Sequence, residues 1–537
     1  METPSPRIPP HIPAFGGNAG GGGPPQNGPS LPTTGSARTD MNPATPAYDG
    51  LCHTFTRLHR LSHLQSIAYW DQAANMPRGG AQARAEALAE LAGQMHAMRT
   101  DPAMRDDLER AAQEPLAELQ RANLREIDRE WRAANALPES LVQRRQLASS
   151  RCEHAWRSQR PANDWAGFLP NLREVVAVAR EEAALLSQSM ALRPYDALLD
   201  NFEPGMRCAQ LDGLFGDLRG WLPGLIRQVR ERQQGQVVIA PMPPFAVDAQ
   251  RALCLRVMRW LGFDFDRGRL DVSTHPFAGG VPEDVRLTTR FVEGEFITSL
   301  YGAIHETGHG RYEQNRPRDW LSQPLSQARS MGIHESQSLA FEMQLGHHPG
   351  FVARLAPMIA EAFGDQPAFE PDNLLRLLTR VKPGLIRVDA DELTYPAHVM
   401  LRYDIERRLI ECEVEPEDVP ALWDAGMAEL LGLDTRGNFK DGPLQDVHWP
   451  EAMFGYFPCY TLGAMYAAQW FAAMRQAMPD LDARIAAGDL AAMFDWLREH
   501  IWLPASRHTT DELALRASGQ PLNPAFFRAH LEARYLG

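Results

Sequence analysis

Long apolar runs, paired thiols and excess positive charge are all missing from this chain, and each absence removes a class of function. No stretch of eighteen or more apolar residues occurs, so no membrane-spanning helix is expected. The opening residues, Met1-Glu-Thr-Pro-Ser-Pro-Arg-Ile-Pro-Pro10, have no apolar segment and do not read as a standard secretory signal. Lys and Arg total 54 against 68 Asp and Glu, a net charge of −14. Nucleic acid and anionic membrane surfaces both demand basic patches, so neither is an expected partner, and the acidity reads as solubility. Cysteine stands singly at Cys52, Cys152, Cys208, Cys254, Cys412 and Cys459, with no Cys-x-x-Cys pair. This pattern reads as buried, reduced thiols in a cytoplasmic protein.

What remains is apolar content of 44% over 537 residues, enough for a large core. Length alone would suggest roughly three or four domains. Residues 1–47 are dominated by Gly, Pro, Ser, Thr and Asn, including Gly20-Gly-Gly-Gly-Pro-Pro25, and lack the periodic apolar residues that offset the entropy of ordering. They read as a flexible tail, with the folded part beginning at 48. From there apolar residues recur at three- and four-residue spacing through Leu51–Met98 and Met104–Trp156, predicting two long helices. Asn135-Ala-Leu-Pro-Glu-Ser140 breaks the second, where a hairpin is expected to reverse. Arg125, Glu126, Asp128, Arg129 and Glu130 read as its solvated face. Arg269–Ser273 and Val285–Phe291 alternate apolar and polar residues and predict two short strands. An edge strand there could pair with an extended peptide.

The chemistry concentrates in His305-Glu-Thr-Gly-His309, inside a helix-like run. Helical positions four apart share a face with Cβ atoms roughly 5–6 Å apart, from which two imidazoles reach one Zn²⁺. His305 and His309 are therefore candidate ligands. Glu306 lies about 100° around the axis from His305, where its carboxylate can act as general base toward an attacking water. A third ligand is needed. A His-x-x-Gly-x-x-His continuation is excluded because Tyr312 and Asn315 stand where Gly and His would be. Glutamates downstream are the remaining source: Glu313 at i+4 from His309, which also suits a solvated face; Glu335, opening a second helical stretch; and Glu342 within it.

Six blocks in order resemble the carboxypeptidase Taq family of metallocarboxypeptidases. They are His275-Pro-Phe277, Asp284-Val-Arg-Leu-Thr288, the His305–His309 pentapeptide, His334-Glu-Ser-Gln337, Ile386-Arg-Val-Asp-Ala-Asp391 and Gly442-Pro-Leu-Gln-Asp-Val-His-Trp449. The similarity runs from Tyr69-Trp-Asp71 to the closing Phe527–Tyr535 and covers roughly 48–537. Two departures occur. Ile501-Trp-Leu-Pro-Ala505 replaces the family's Ile-His-x-x-Gly, and Leu339 replaces an Arg common after His-Glu-Ser-Gln-Ser.

The resemblance implies a mainly α architecture, one large helical zinc-peptidase fold around a deep substrate cleft, with a small β-sheet beside the zinc helix and a single domain over 48–537. It assigns the third ligand to Glu335. It implies a homodimer and broad-specificity release of single C-terminal amino acids from peptides. Zn²⁺ is the expected metal, and Co²⁺ suits the same His₂Glu set. Related helical zinc peptidases place a His and then a Tyr across the cleft, which makes His448 and Tyr460 candidates for oxyanion stabilisation, with Tyr456 as the alternative. Arg387 is the first candidate for reading the substrate's terminal carboxylate through its planar fork. Arg286 is the second, with an ion pair to Asp284 or Glu283 as its other reading, and His275 either lines the cleft or holds a turn. Two other functions stay open: an oligopeptidase or dipeptidyl carboxypeptidase of the same type, and a catalytically silent metal-containing peptide-binding protein. The intact Glu306 argues against the last.

Overall fold

Proline and glycine divide the amphipathic N-terminal third more finely than its periodicity predicts. The computed structural model describes residues 45–273 and 276–537. The expected tail therefore lies outside the described residues, except that helix α1, Pro46–Ala74, already includes Pro46 and Ala47; His275 also lies outside them. The first expected long helix is two, α1 and α2 (Ala81–Arg99), because Pro77 and the Gly79-Gly80 pair interrupt the turn between them. The second is three: α3 (Ala103–Ala111), α4 (Glu118–Asn135) and α5 (Glu139–Gln159), with Pro115 making the unforeseen break. The expected hairpin across 135–140 is not the main contact of α5, which packs chiefly along α6, Trp165–Met190.

Glu126 corrects a second expectation. It is buried, and three arginines converge on it: Arg125 Nε at 2.7 Å, Arg129 Nε at 3.0 Å and Arg329 Nε at 3.1 Å. Burial alone would raise this carboxyl, and the three guanidinium groups bring it below the ordinary value. The charged face of α4 is thus partly an internal anchor.

Two strands appear where alternation places them, β1 (Gly268–Val272) and β3 (Asp284–Thr289), and a third, β2 (Ala278–Val281), joins them. The order is β1-β3-β2, parallel between β1 and β3 and antiparallel between β2 and β3. The strand leading toward the motif helix is therefore central, and β1 and β2 form the edges. Val285 and Leu287 turn into the core, and the chain passes from β3 into helix α7, Ile297–Gln314. Helix α8, Met331–Leu339, packs against both α7 and α10, Pro458–Ala477, and α9, Tyr395–Ile410, also packs against α10. Four of the six thiols are buried; Cys52 is half-buried and Cys412 is exposed, against expectation.

The departing segment 501–505 carries core side chains at Ile501, Trp502 and Ala505, while Leu503 is exposed. Ile501 and Trp502 are fully buried, and the Trp502 indole N–H donates to Gln337 Oε1 at 2.8 Å on α8. Leu339 likewise packs against the apolar core. Ala505 sits at φ 45°, a left-handed backbone that costs an L-residue roughly 1–2 kcal/mol and glycine almost nothing. Ala505→Gly relieves that cost but loses a buried methyl and gains unfolded-state freedom, so the denaturation midpoint is expected to change by less than the equivalent of about 1 kcal/mol at unchanged steepness.

Candidate active site

Helices α7 and α8 approach closely enough to join three donor groups because small residues face the contact. A Cβ on Gly308 would meet Ser338 Cα at 2.6 Å, and one on Gly463 of α10 would meet Glu335 Cγ at 2.7 Å and Cβ at 2.8 Å. Real Cβ atoms do not tolerate such distances, so glycine at both positions allows Glu335 to sit between its neighbours. The start of α8 is fixed as well. Ser330 Oγ accepts from the Ile333 N–H at 2.9 Å and donates to the buried Glu203, which also accepts from the Gly332 N–H. Burial pushes the Glu203 carboxyl up to about 7 despite these bonds.

The result is a cluster of His305, His309 and Glu335 whose donor atoms all lie within 4.8 Å of one another. Glu335 stands 4.0 Å from His305 Nε2 and 3.4 Å from His309 Nε2. Each imidazole is held from behind. His305 Nδ1 lies 2.7 Å from Glu342 Oε2. His309 Nδ1 lies 2.7 Å from His334 Nδ1, and His334 Nε2 lies 3.0 Å from Glu313, which also takes Arg316 Nη1 at 2.6 Å. One tautomer set satisfies the contacts behind the imidazoles: His305 donates from Nδ1 to Glu342, His334 donates from Nε2 to Glu313, and His309 donates from Nδ1 to His334. Both Nε2 lone pairs then face Glu335, as metal ligation requires. Glu313 is accordingly an internal anchor and no solvated face, and Glu342 orients His305. The sequence shows His334 only as part of its block, and the i+7 spacing of Glu342 from Glu335 is the sign of where Glu342 sits.

The electrostatics suit a cation. Burial alone would lower the His305 imidazole, yet Glu342, with Glu335 and Glu306 behind it, carries it up to about 10. Burial lowers His309 to about 4, with Glu335 opposing. Burial, then Glu335 and Glu342, raise the Glu306 carboxyl to about 7, with His305 opposing. A divalent metal among these carboxylates would replace the positive charge that His305 otherwise attracts, so the residues fit one. Glu306 Oε2 is buried with no hydrogen-bond partner.

On the far side, His448 Nε2 lies 3.0 Å from the Tyr460 hydroxyl, and its Nδ1 is buried without a partner. Burial and the nearby Arg387 lower His448 to about 3, keeping it neutral. The Tyr456 ring stands 5.3 Å from that of Tyr460, and the charge of Glu335 reaches both phenols. Arg387 is buried; its Nε and Nη2 donate to Asp446 Oδ1 at 2.9 and 2.8 Å, its Nη1 donates to the Tyr395 hydroxyl, and it stacks 4.9 Å from the Tyr460 ring centroid. Arg286 is not part of this group. It pairs with both oxygens of Asp284, at 2.5 and 2.8 Å, and lies 4.5 Å from the Trp70 ring centroid, the ion-pair arrangement open to it from the sequence.

A family model described as carboxypeptidase Taq (M32) metallopeptidase matches residues 50–535. The chain is 37% identical over 504 residues to thermostable carboxypeptidase 1 of Thermus thermophilus, covering 91% of this chain and 98% of that one. Among solved structures, Trypanosoma cruzi metallocarboxypeptidase 1 is similar at 48% identity and a TM-score of 0.90, covering 91% of this chain and 99% of that one. The M32 carboxypeptidase of Deinococcus radiodurans is similar at 31% identity and a TM-score of 0.86, with 91% and 98% covered. Among the described residues, no helix is long and apolar enough to cross a membrane.

Proposed function

This chain belongs to the carboxypeptidase Taq (M32) family of metallocarboxypeptidases, and from that premise we propose that it releases single C-terminal amino acids from peptides, with broad specificity, using Glu306 as general base. The observation that carries the reading is the three-donor cluster of His305, His309 and Glu335 beside the unpartnered Glu306 oxygen. Those three residues would hold the metal, Zn²⁺ or Co²⁺. When bound, it supplies Lewis acidity, activating water and polarising the scissile carbonyl.

The chain's own residues do the rest. Glu306 takes the proton of the attacking water and returns it to the leaving amine. With its proton on Nε2, His448 donates to the Tyr460 hydroxyl, leaving that hydroxyl's hydrogen for the developing oxyanion; Tyr456 is the neighbouring alternative. Arg387 has one N–H on each terminal nitrogen beyond those used by Asp446 and Tyr395, enough to grip a substrate's terminal carboxylate. Homodimeric assembly belongs to the same reading and is checked by sedimentation equilibrium.

Timed mass spectrometry of a peptide digest is the test. We expect free C-terminal amino acids in succession, loss of activity on chelation, and recovery with Zn²⁺ or Co²⁺. Dipeptides or internal cuts would overturn the proposed mode of release, and activity that survives full metal removal would overturn the metal site.

A further inference from the structure

Asp446 is shared. Besides its two bonds from Arg387, its Oδ2 accepts from Arg402 Nε at 2.6 Å. Arg402 lies on α9, is 0% exposed, and is enclosed by Trp423, whose ring centroid is 4.6 Å from the guanidinium carbon, and by Phe457 at 5.4 Å. Its Nη1 donates to the His398 carbonyl at 2.8 Å, and its Nη2 has no partner. Two buried guanidinium groups therefore meet one carboxylate within hydrogen-bonding distance. Uncompensated charge in a low-dielectric interior is costly and attracts an opposite charge.

Asp446 is the carboxylate hydrogen-bonded to the two guanidinium groups, and Glu406 acts on Arg402 through charge without a hydrogen bond to it. Burial lowers His398 to about 3, with Arg402 and Arg387 adding to the effect, so it stays neutral, as does His448. Glu406, one turn along α9, accepts from Tyr195, from Trp449 Nε1 at 3.2 Å and from the Gly455 N–H at 3.1 Å, and burial raises it to about 7. A lone Arg387–Asp446 pair would be neutral. With Arg402 drawing on the same carboxylate, Arg387 keeps net positive charge.

We propose that Arg402, without touching substrate, is the positioning residue that gives Arg387 its selectivity for a free C-terminal carboxylate, by sharing Asp446 and leaving the triad one positive charge in excess. This rests on the reading of Arg387 given above. It goes further by placing the selectivity in a charge count spread over three residues.

The test compares a peptide acid with its C-terminal amide on the metal-loaded enzyme. Wild type is expected to favour the acid strongly; equal turnover of both would sink the Arg387 reading itself. In Arg402→Gln, kcat/KM for the acid is expected to fall about 10–100-fold, the range of a charge-assisted hydrogen bond. That fall should come mainly through KM, with the amide little changed, so the acid-to-amide ratio collapses. A folded variant that keeps the wild-type ratio would overturn the inference while leaving Arg387 in place. Should the glutamine variant not fold, Arg402→Met fills the volume without charge and carries the same expectation. Arg402→Lys keeps the charge and is expected to retain most of the preference; a collapse there as deep as with glutamine would assign the effect to packing and overturn the proposal.

Discussion

Glu306→Gln is expected to leave metal content unchanged while lowering kcat by about 10²–10⁴-fold, the usual worth of a positioned general base. Glutamine matches glutamate in shape and hydrogen-bonding reach but cannot accept the proton. The helix around it should not respond, because Glu306 Oε2 has no protein partner to lose, and His305 and His309 are oriented by Glu342 and His334 instead. Metal analysis beside kcat on one preparation reads both halves. Metal loss would mean that residue 306 supports the cluster's structure, and undiminished turnover would pass the base's role to another group.

Gly463→Val should be comparably severe, although this position carries no chemistry. Its new Cβ would fall 2.7 Å from Glu335 Cγ, and neither α8, capped by Ser330 and Glu203, nor the long α10 can shift cheaply. Overpacking of this kind costs about 1–3 kcal/mol. The Glu335 carboxylate is the part able to move, so metal affinity should drop at least about 100-fold, beyond what losing an orienting partner causes. Gly463→Ala should go the same way less far. Competition with a chelator measures the affinity, and a valine variant holding metal as tightly as wild type would show that Glu335 is placed by something other than this contact.

These two residues mark how far one-dimensional reading reached. His305, Glu306 and His309 were legible because the chemistry needs a spacing that one helical turn supplies. Glu335 was narrowed to three glutamates by the residues and assigned by the family likeness. Strands β1 and β3 showed in alternation, whereas β2 contains Gly279 and Gly280 and is too short to alternate visibly. The break at Pro77 was hidden by apolar periodicity continuing on both sides of it. Gly463, His334 and the Arg329 contact of Glu126 depend on partners well outside any local window, so no local pattern could reveal them. Asp446 is one letter of a motif in the sequence, and its division between Arg387 and Arg402 exists only in three dimensions.

Arg329 immediately precedes Ser330, which starts the helix carrying Glu335, and its other end is buried on Glu126 of α4. Peeling α4 away would strand that carboxylate and release the segment that sets where Glu335 points. Local opening of α4 and weakening of the grip on metal should therefore share one free-energy threshold. In amide hydrogen exchange, α4 and α8 should then open together, with metal protecting both, including the one that never comes near it.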